Sequence, residues 1–113
     1  MTKHSPNLDL IFQALSDPTR RAFLARMAKG PISVSALAEP TGFALPTVMK
    51  HLDILASADL ITTQKAGRIR MCQARPETLA ATADWLSEQR TLWEARTDRL
   101  EDYLNSLQKG PTP

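Results

Sequence analysis

Apolar residues recur at intervals of three and four along the first part of the chain, which is the spacing of amphipathic helices. The first such segment carries Leu8, Ile11, Phe12 and Leu15. Asp17 and Pro18 then restart the pattern, because Asp is a preferred N-cap and Pro suits the first helical position. We expect a short helix and, directly after it, a second helix from Pro18 to about Lys29, which Gly30 ends.

Two further helical segments follow, joined by a turn. Ser33 can cap a short third helix, and Thr41-Gly42 ends it in a turn. A fourth helix covers residues 46–57, with Pro46 in its first turn. One face carries Val48, Leu52 and Leu55, and the opposite face carries Pro46, Lys50 and Asp53. The fourth helix is therefore predicted to have a buried face and a presented face.

After Leu60 the pattern changes to that of strands. Residues 60–65 and 69–74 are short runs with β-branched content, separated by Ala66-Gly67-Arg68, and they predict a β-hairpin over residues 61–74. From Pro76 to about Gln108 the chain is predicted to be helical again. The expected order is α-α-α-α-β-β-α in a single, mainly helical domain over residues 1–113, with flexible tails at 1–7 and 109–113.

The last helix, residues 76–108, predicts a dimer. Its Leu79, Leu86, Trp93, Leu100 and Leu107 are spaced seven residues apart. About 33 residues at ~1.5 Å each span ~50 Å, whereas a compact chain of about 113 residues has a radius of gyration of ~13 Å. The apolar stripe of such a helix would stay in water unless a second chain covered it, so we expect a homodimer.

The charge is distributed unevenly, although the net charge is only +2. Residues 1–76 carry ten Lys and Arg against five Asp and Glu, and residues 77–113 carry four against seven. The first part therefore has a charge of +5 and the second −3, which sum to the stated +2. A polyanion, if one binds, is expected on the first two thirds of the chain.

The remaining composition narrows the class of protein. No apolar run is long enough for a membrane span, and the first residues lack the apolar core of a signal peptide, so we expect a cytoplasmic protein. One Cys, two His and no Gly-rich phosphate loop leave little from which to build a catalytic site. An enzyme is therefore not expected.

Six segments, taken in order, resemble the ArsR/SmtB family of bacterial winged-helix repressors, in a metal-independent branch that lacks the cysteine motif. They are ALSDPTRRAFLARM, SVSALAEPTGF, LPTVMKHLDIL, ADLI, KAGRIR and WEARTDRLEDYL. The resemblance covers roughly residues 8–107. It implies a winged helix-turn-helix dimer, joined through its first and last helices, that binds double-stranded DNA at an imperfect palindrome and represses transcription. In the cell such a protein is nucleoid-associated.

The resemblance also assigns residues to the two contacts. The fourth helix lies in the major groove and the hairpin is the wing; their DNA-binding residues are Leu45, Pro46, Thr47, Met49, Lys50, His51, Lys65, Arg68 and Arg70. The dimer interface takes Leu8, Ile11, Phe12, Leu86, Trp93, Leu100 and Leu107. For His51 a packed histidine that hydrogen-bonds locally is an equal alternative to a DNA contact. For Arg20 and Arg21 the alternatives are ordinary exposed charge and contact with the DNA backbone.

Several positions depart from the family pattern. The family often has Ser, Gln and Ser where this chain has Ala44, Leu45 and Met49, and apolar contact with thymine methyl groups is the alternative to polar readout there. Asp59 replaces the usual Gly before Leu60, in a left-handed turn that Asp tolerates.

The ligands of the family's metal sensors are also missing. Residues 32–38 contain no Cys and the last helix contains no His. Metal binding needs converging ligands, so we expect no metal and no cofactor.

Cys72 is a possible redox site. Strand alternation places it on one face with Arg68 and Arg70, and positive charge favours the reactive thiolate; an inert thiol is the other interpretation. A redox or small-molecule sensor of the same fold therefore stays open, as does a protein-interaction module that uses the long helix without DNA. Trp85, Leu92 and Trp93 could line a ligand pocket, although an interface is the preferred interpretation. The effector is not predicted.

Overall fold

A computed structural model describes residues 6–109 of the chain. It contains the helices α1 (Leu8–Leu15), α2 (Pro18–Met27), α3 (Val34–Ala38), α4 (Leu45–Ser57) and α5 (Pro76–Lys109), and the strands β1 (Ile32–Ser33), β2 (Ile61–Ala66) and β3 (Ile69–Ala74). A 3-10 turn, Glu39–Thr41, follows α3. The predicted winged helix-turn-helix order is confirmed, with β1 as an addition. Of the predicted tails, residues 1–5 and 110–113 lie outside the described residues.

Side-chain caps fix where the first three helices begin. The side-chain oxygen of Asn7 accepts a hydrogen bond from the Leu10 amide at 3.2 Å, and Asp17 accepts one from the Arg20 amide at 3.1 Å. At the start of α3, the Ser33 hydroxyl oxygen accepts a hydrogen bond from the Ala36 amide. Each cap satisfies an amide that has no partner inside its helix, so the helix starts predicted at Pro18 and after Ser33 are explained.

The core lies where α1 to α4 meet the sheet. Its buried apolar residues include Phe23, Leu24, Met27, Val34, Leu37, Val48, Leu52, Leu55, Leu60 and Ile61. Val48, Leu52 and Leu55 are fully buried, which confirms the predicted inner face of α4. Ile11 is also fully buried. Its side chain packs inside a single chain and is not available to a second one, which corrects its assignment to the dimer interface.

The three strands form one antiparallel sheet in the order β1-β3-β2. Ala66 pairs with Ile69, so the turn of the hairpin consists of two residues, Gly67 and Arg68, instead of the predicted three. Gly67 has φ 65°, a left-handed conformation that glycine adopts at no steric cost. The sheet therefore ends in a tight two-residue tip beyond β2 and β3.

A polar junction joins α4, β2 and the start of α5. Asp59 has φ 63°, which confirms the predicted left-handed turn. Its carboxylate pairs with Arg75, and its carbonyl oxygen accepts a hydrogen bond from the Thr78 hydroxyl at 2.5 Å. The Arg75 amide donates to the Leu60 carbonyl at 2.8 Å. These bonds fix the first turn of α5 beside the base of the hairpin.

The chain divides into two units, Met1–Ala81 and Thr82–Pro113, with the boundary inside α5. The first unit contains α1 to α4, the sheet and the beginning of α5. The second consists of the rest of α5 and is exposed along much of its length. Its exposed large apolar residues are Trp85, Leu86, Leu92, Trp93, Leu100, Tyr103, Leu104 and Leu107. Across residues 6–109, no helix has the length and apolar character needed to cross a membrane.

Candidate nucleic-acid interface

The turn between α3 and α4 is fixed by its own hydrogen bonds. The Thr41 hydroxyl donates to the Ala38 carbonyl at 2.6 Å and accepts from the Phe43 amide at 3.0 Å. Gly42 ends the 3-10 turn in a left-handed conformation, with φ 69°. The turn sets the direction of the α4 axis. The buried face of α4 then fixes the rotation of the helix about that axis.

The outer face of α4 carries the residues predicted to contact DNA. Leu45, Pro46, Thr47 and Lys50 are exposed. Met49 is partly buried and packs against the core, so less of its side chain is available outside. The exposed face of α4 therefore begins with two apolar side chains, Leu45 and Pro46, and the hydroxyl of Thr47. Lys50 follows one turn later.

His51 lies among protein side chains. Its Nδ1 is 3.1 Å from Nη1 of Arg20, and its ring meets that of Phe23 edge-on at 6.4 Å. Because a guanidinium group only donates, Nδ1 accepts and the ring hydrogen lies on Nε2. The Asp17 carboxylate is 3.9 Å from the same nitrogen. These contacts favour the packed interpretation of His51 over a DNA contact.

Arg20 joins α2 to the end of α1 and to α4. Its side chain is only 9% exposed, and it donates from Nε to the Ala14 carbonyl at 2.7 Å and from Nη2 to the Gln13 carbonyl at 3.1 Å. The last carbonyls of a helix have no amide partner one turn further along the same helix, and that of Gln13 also accepts from the Ser16 amide and hydroxyl. Neither alternative from the sequence describes Arg20, because it is buried and structural. Arg21 is exposed and donates to the Leu15 carbonyl at 2.7 Å.

The wing presents three cations. Lys65 and Arg70 are directly opposite each other in the register of β2 and β3, and Arg68 is at the tip. All three are exposed. In the described part of the chain the ion pairs lie elsewhere, at His51, Arg75 and Arg90. The hairpin therefore has positive charge available for an external anion.

Cys72 is part of the core. It is fully buried on β3, between Ile32 of β1 and Thr63 of β2. Burial raises the pKa of its thiol, and the charge of Arg70 lowers it by less. The predicted electrostatic influence of Arg70 is present, but desolvation outweighs it. These findings favour the inert thiol over the redox site.

A groove separates the first turn of α4 from the wing. Its volume is about 740 Å³, and it is lined by Pro31, Ile32, Ser33, Val34, Ser35, Leu45, Met49, Arg68, Ile69, Arg70 and Met71. Leu45 is 54% exposed and Ile69 is 56% exposed, and they are the most exposed large apolar residues in the described part of the first unit, residues 6–81. Sequence patterns did not reveal this groove, because β1 and β3 meet only through tertiary pairing.

Potential metal ligands are dispersed. Over residues 6–109, no three or more His, Cys, Asp or Glu side chains are grouped so that they could hold a metal ion.

Comparisons with known proteins agree with this geometry. A family model described as a helix-turn-helix domain matches residues 15–64. The HTH-type transcriptional regulator Rv2034 of Mycobacterium tuberculosis is 42% identical over 80 residues, which cover 71% of this chain and 73% of that protein. The transcriptional repressor SdpR of Bacillus subtilis is 29% identical over 76 residues, which cover 67% of this chain and 84% of that protein.

A solved structure is similar over most of its length. A crystal structure of an ArsR family transcriptional regulator superposes with a TM-score of 0.73 at 50% sequence identity, covering 77% of this chain and 96% of that one. The aligned part of the chain therefore has the same fold as a protein with which it shares half of its aligned residues.

Proposed function

Because the chain belongs to the ArsR family of helix-turn-helix transcriptional regulators, we propose that it is a homodimeric repressor that binds an imperfect palindrome. The family consists of DNA-binding regulators and not of enzymes. In the proposed complex, α4 lies in the major groove and the hairpin of β2 and β3 lies beside it as a wing. The protein would act in the cytoplasm, where the chromosome lies.

The observation that carries the proposal is the combination of a fixed buried face on α4 with exposed cations around it. Val48, Leu52 and Leu55 hold the helix in the core, so its opposite face is presented in one orientation. Lys50 on that face and the cations of the wing belong to the same unit. Phosphate contacts from such side chains position a protein on a duplex, and the residues between them read the bases.

The proposed dimer rests on the apolar surface of the second unit. Trp93 is 65% exposed and Leu100 is 58% exposed, and both belong to the stripe with a spacing of seven. An exposed apolar surface of this kind marks an interaction site, and closed two-fold symmetry is the commonest solution for a soluble homo-oligomer. In the first unit, Phe12 is exposed and Leu8 is partly exposed, so the proposed α1 contribution comes from these two residues.

A metal-independent regulator fits the proposal. The family's ligand positions on the third helix and the last helix hold no Cys and no His. The carboxylates are scattered along the sequence, and zinc sites need converging ligands. We therefore expect operator affinity to be the same with zinc and with a chelator. The buried position of Cys72 weighs against the alternative of a redox sensor.

Selection of bound duplexes from a random pool tests the proposed function. The purified protein should enrich an inverted repeat whose half-sites lie about one helical turn, ~10 base pairs, apart or a multiple of that. The same protein with Lys50 and Arg68 both replaced by Ala should enrich no motif. Recovery of no motif by the wild type would contradict the proposal and favour a protein-interaction module that uses α5.

A further inference from the structure

The side chains at the start of α4 have little capacity for hydrogen bonding to bases. A helix-turn-helix protein reads base edges with the N-terminal residues of its recognition helix. In this chain those residues are Leu45, Pro46 and Thr47, and all three are exposed. None carries the amide or guanidinium group that makes a bidentate bond to adenine or guanine. The first turn of α4 therefore offers methyl groups and one hydroxyl.

Neighbouring side chains do not replace the missing donors. Met49 is partly buried and packs against the core. His51 accepts a hydrogen bond from Arg20 and contacts the ring of Phe23. Lys50 is exposed one turn later, and it is a flexible point charge that serves a phosphate as well as a guanine. Leu45 is therefore the large apolar side chain that the first turn of α4 exposes to solvent.

The exposure of Leu45 has a counterpart on the wing. Single exposed apolar side chains are common on protein surfaces and need no explanation. In this protein, however, Leu45 and Ile69, the two most exposed large apolar residues among residues 6–81, line one groove, and Arg68 and Arg70 line it with them. An apolar surface bordered by cations is complementary to DNA, in which the thymine methyl group is an apolar group set among phosphates.

We propose that Leu45 is a specificity-determining residue that recognises the 5-methyl group of thymine in the major groove. This proposal rests on the proposed DNA-binding mode of α4 and deepens it by naming the base. Each half-site of the operator then carries a thymine beneath the first turn of α4. Arg68 and Arg70 hold the flanking backbone, and Ile69 contributes to the apolar side of the groove without reading a base.

Uracil substitution tests this directly, because it removes the methyl group and keeps every hydrogen-bonding group of the base. Each thymine of the selected operator is replaced in turn by uracil, and affinity is measured by fluorescence anisotropy. Wild-type protein should lose about fourfold in affinity at one or two positions in each half-site, which corresponds to one methyl group returned to water. Uracil placed outside the two half-sites is the matched DNA control and should have no effect.

Two variants assign the effect to the side chain. Leu45→Ala should bind the thymine and the uracil operators with equal affinity, and Leu45→Met should restore most of the preference, because Met keeps an apolar side chain of similar volume. Circular dichroism establishes that both variants are folded. If Leu45→Ala does not fold, Leu45→Met tests the proposal by itself. A preference of Leu45→Met for the thymine operator over the uracil operator like that of the wild type would support the proposal, and the absence of that preference would overturn it.

The contradicting outcomes are distinct. Wild-type protein that binds every uracil-substituted operator as well as the original would overturn the proposal and leave the repressor function intact. A preference that persists in folded Leu45→Ala would show that another group reads the methyl, and it would overturn the assignment to Leu45. Failure of the wild type to bind any operator would overturn the proposed function, and this proposal with it.

Discussion

At the scale of single residues, Arg20 shows how a charged side chain becomes structural. It donates to two carbonyls at the end of α1 and to His51 of α4. Replacing Arg20 with Ala removes the donor to the buried Ala14 carbonyl and to His51 Nδ1, and we expect a loss of about 2 kcal/mol in the free energy of unfolding. Urea denaturation measures it. The exposed Arg21→Ala should lose less than about 1 kcal/mol, and equal losses would contradict the structural role of Arg20.

Asp17 makes stability depend on pH. The hydrogen bond from the Arg20 amide lowers the pKa of Asp17 below its ordinary value of 3.8, and the charge of Arg20 lowers it further. Because the folded-state pKa is depressed, this stabilisation is present above the unfolded value and is lost as pH falls through the folded value.

Asn at position 17 keeps the cap without the charge. Asp17→Asn should therefore lose less stability than the wild type as the pH falls from about 4 to about 2, in the window below the unfolded pKa. Thermal denaturation across this range measures the difference. Identical pH profiles for the two proteins would show that the Asp17 carboxylate contributes no pH dependence.

The residues that sequence patterns identified are those whose partners are near in the chain. Asp17 and Ser33 cap helices three residues ahead, and Asp59 sits in a turn whose geometry limits the residue type. The bond between Arg20 and His51 joins residues 31 positions apart, so no periodicity carries it. For Cys72, strand alternation indicated the neighbouring Arg70 but not the depth of burial, which decides its chemistry.

At the scale of elements, α4 and the wing are predicted to bind DNA together. Lys50→Ala and Arg68→Ala should each weaken duplex binding and lower the magnitude of the salt slope by about one unit if the contact is to a phosphate. Anisotropy titrations at several salt concentrations measure both quantities. Lys29→Ala, which removes an exposed lysine after α2, is the matched control. Salt slopes that stay at the wild-type value in both mutants would contradict the assignment.

The exposed stripe of α5 is predicted to hold two chains together. Trp93 and Leu100 are exposed in a single chain, so Glu at both positions should separate the dimer and leave the fold of each chain intact. Sedimentation velocity at micromolar concentration gives the oligomeric state. Ser87→Glu with Asn105→Glu adds the same charge on the opposite side of the helix and should remain dimeric. A wild-type protein that sediments as a monomer yet binds its operator fully would contradict the dimer.

Element type followed from periodicity wherever an element was long enough to show one. The helices and the hairpin were predicted with ends within about two residues, because caps, prolines and glycines mark them. The strand β1 has only two residues, Ile32 and Ser33, and two residues display no alternation. Its existence depends on pairing with Met71 and Cys72 of β3, which is a tertiary contact. The groove beside α4 depends on the same pairing.

At the scale of the whole molecule, charge and apolar surface are divided along the chain. The basic residues collect in residues 1–76 and the acidic residues in 77–113, while the second unit carries the exposed apolar stripe. Sequence alone predicted this division, because it needs only composition and spacing. The partner that covers the stripe does not follow from one chain, since an exposed apolar surface fits any complementary partner.

The most direct test of a symmetric repressor is a change in the spacing of its operator half-sites. Two copies of α4 held by one dimer meet major grooves on the same side of the duplex, about 34 Å apart. Inserting about five base pairs between the half-sites turns one half-site to the opposite side of the duplex. Inserting about ten base pairs brings both half-sites back to the same side of the duplex. Affinity for each duplex is measured by anisotropy with the unmodified protein. We expect the half-turn insertion to lower affinity to that of a single half-site, whereas affinity unchanged by this insertion would contradict a dimer that binds both half-sites at once.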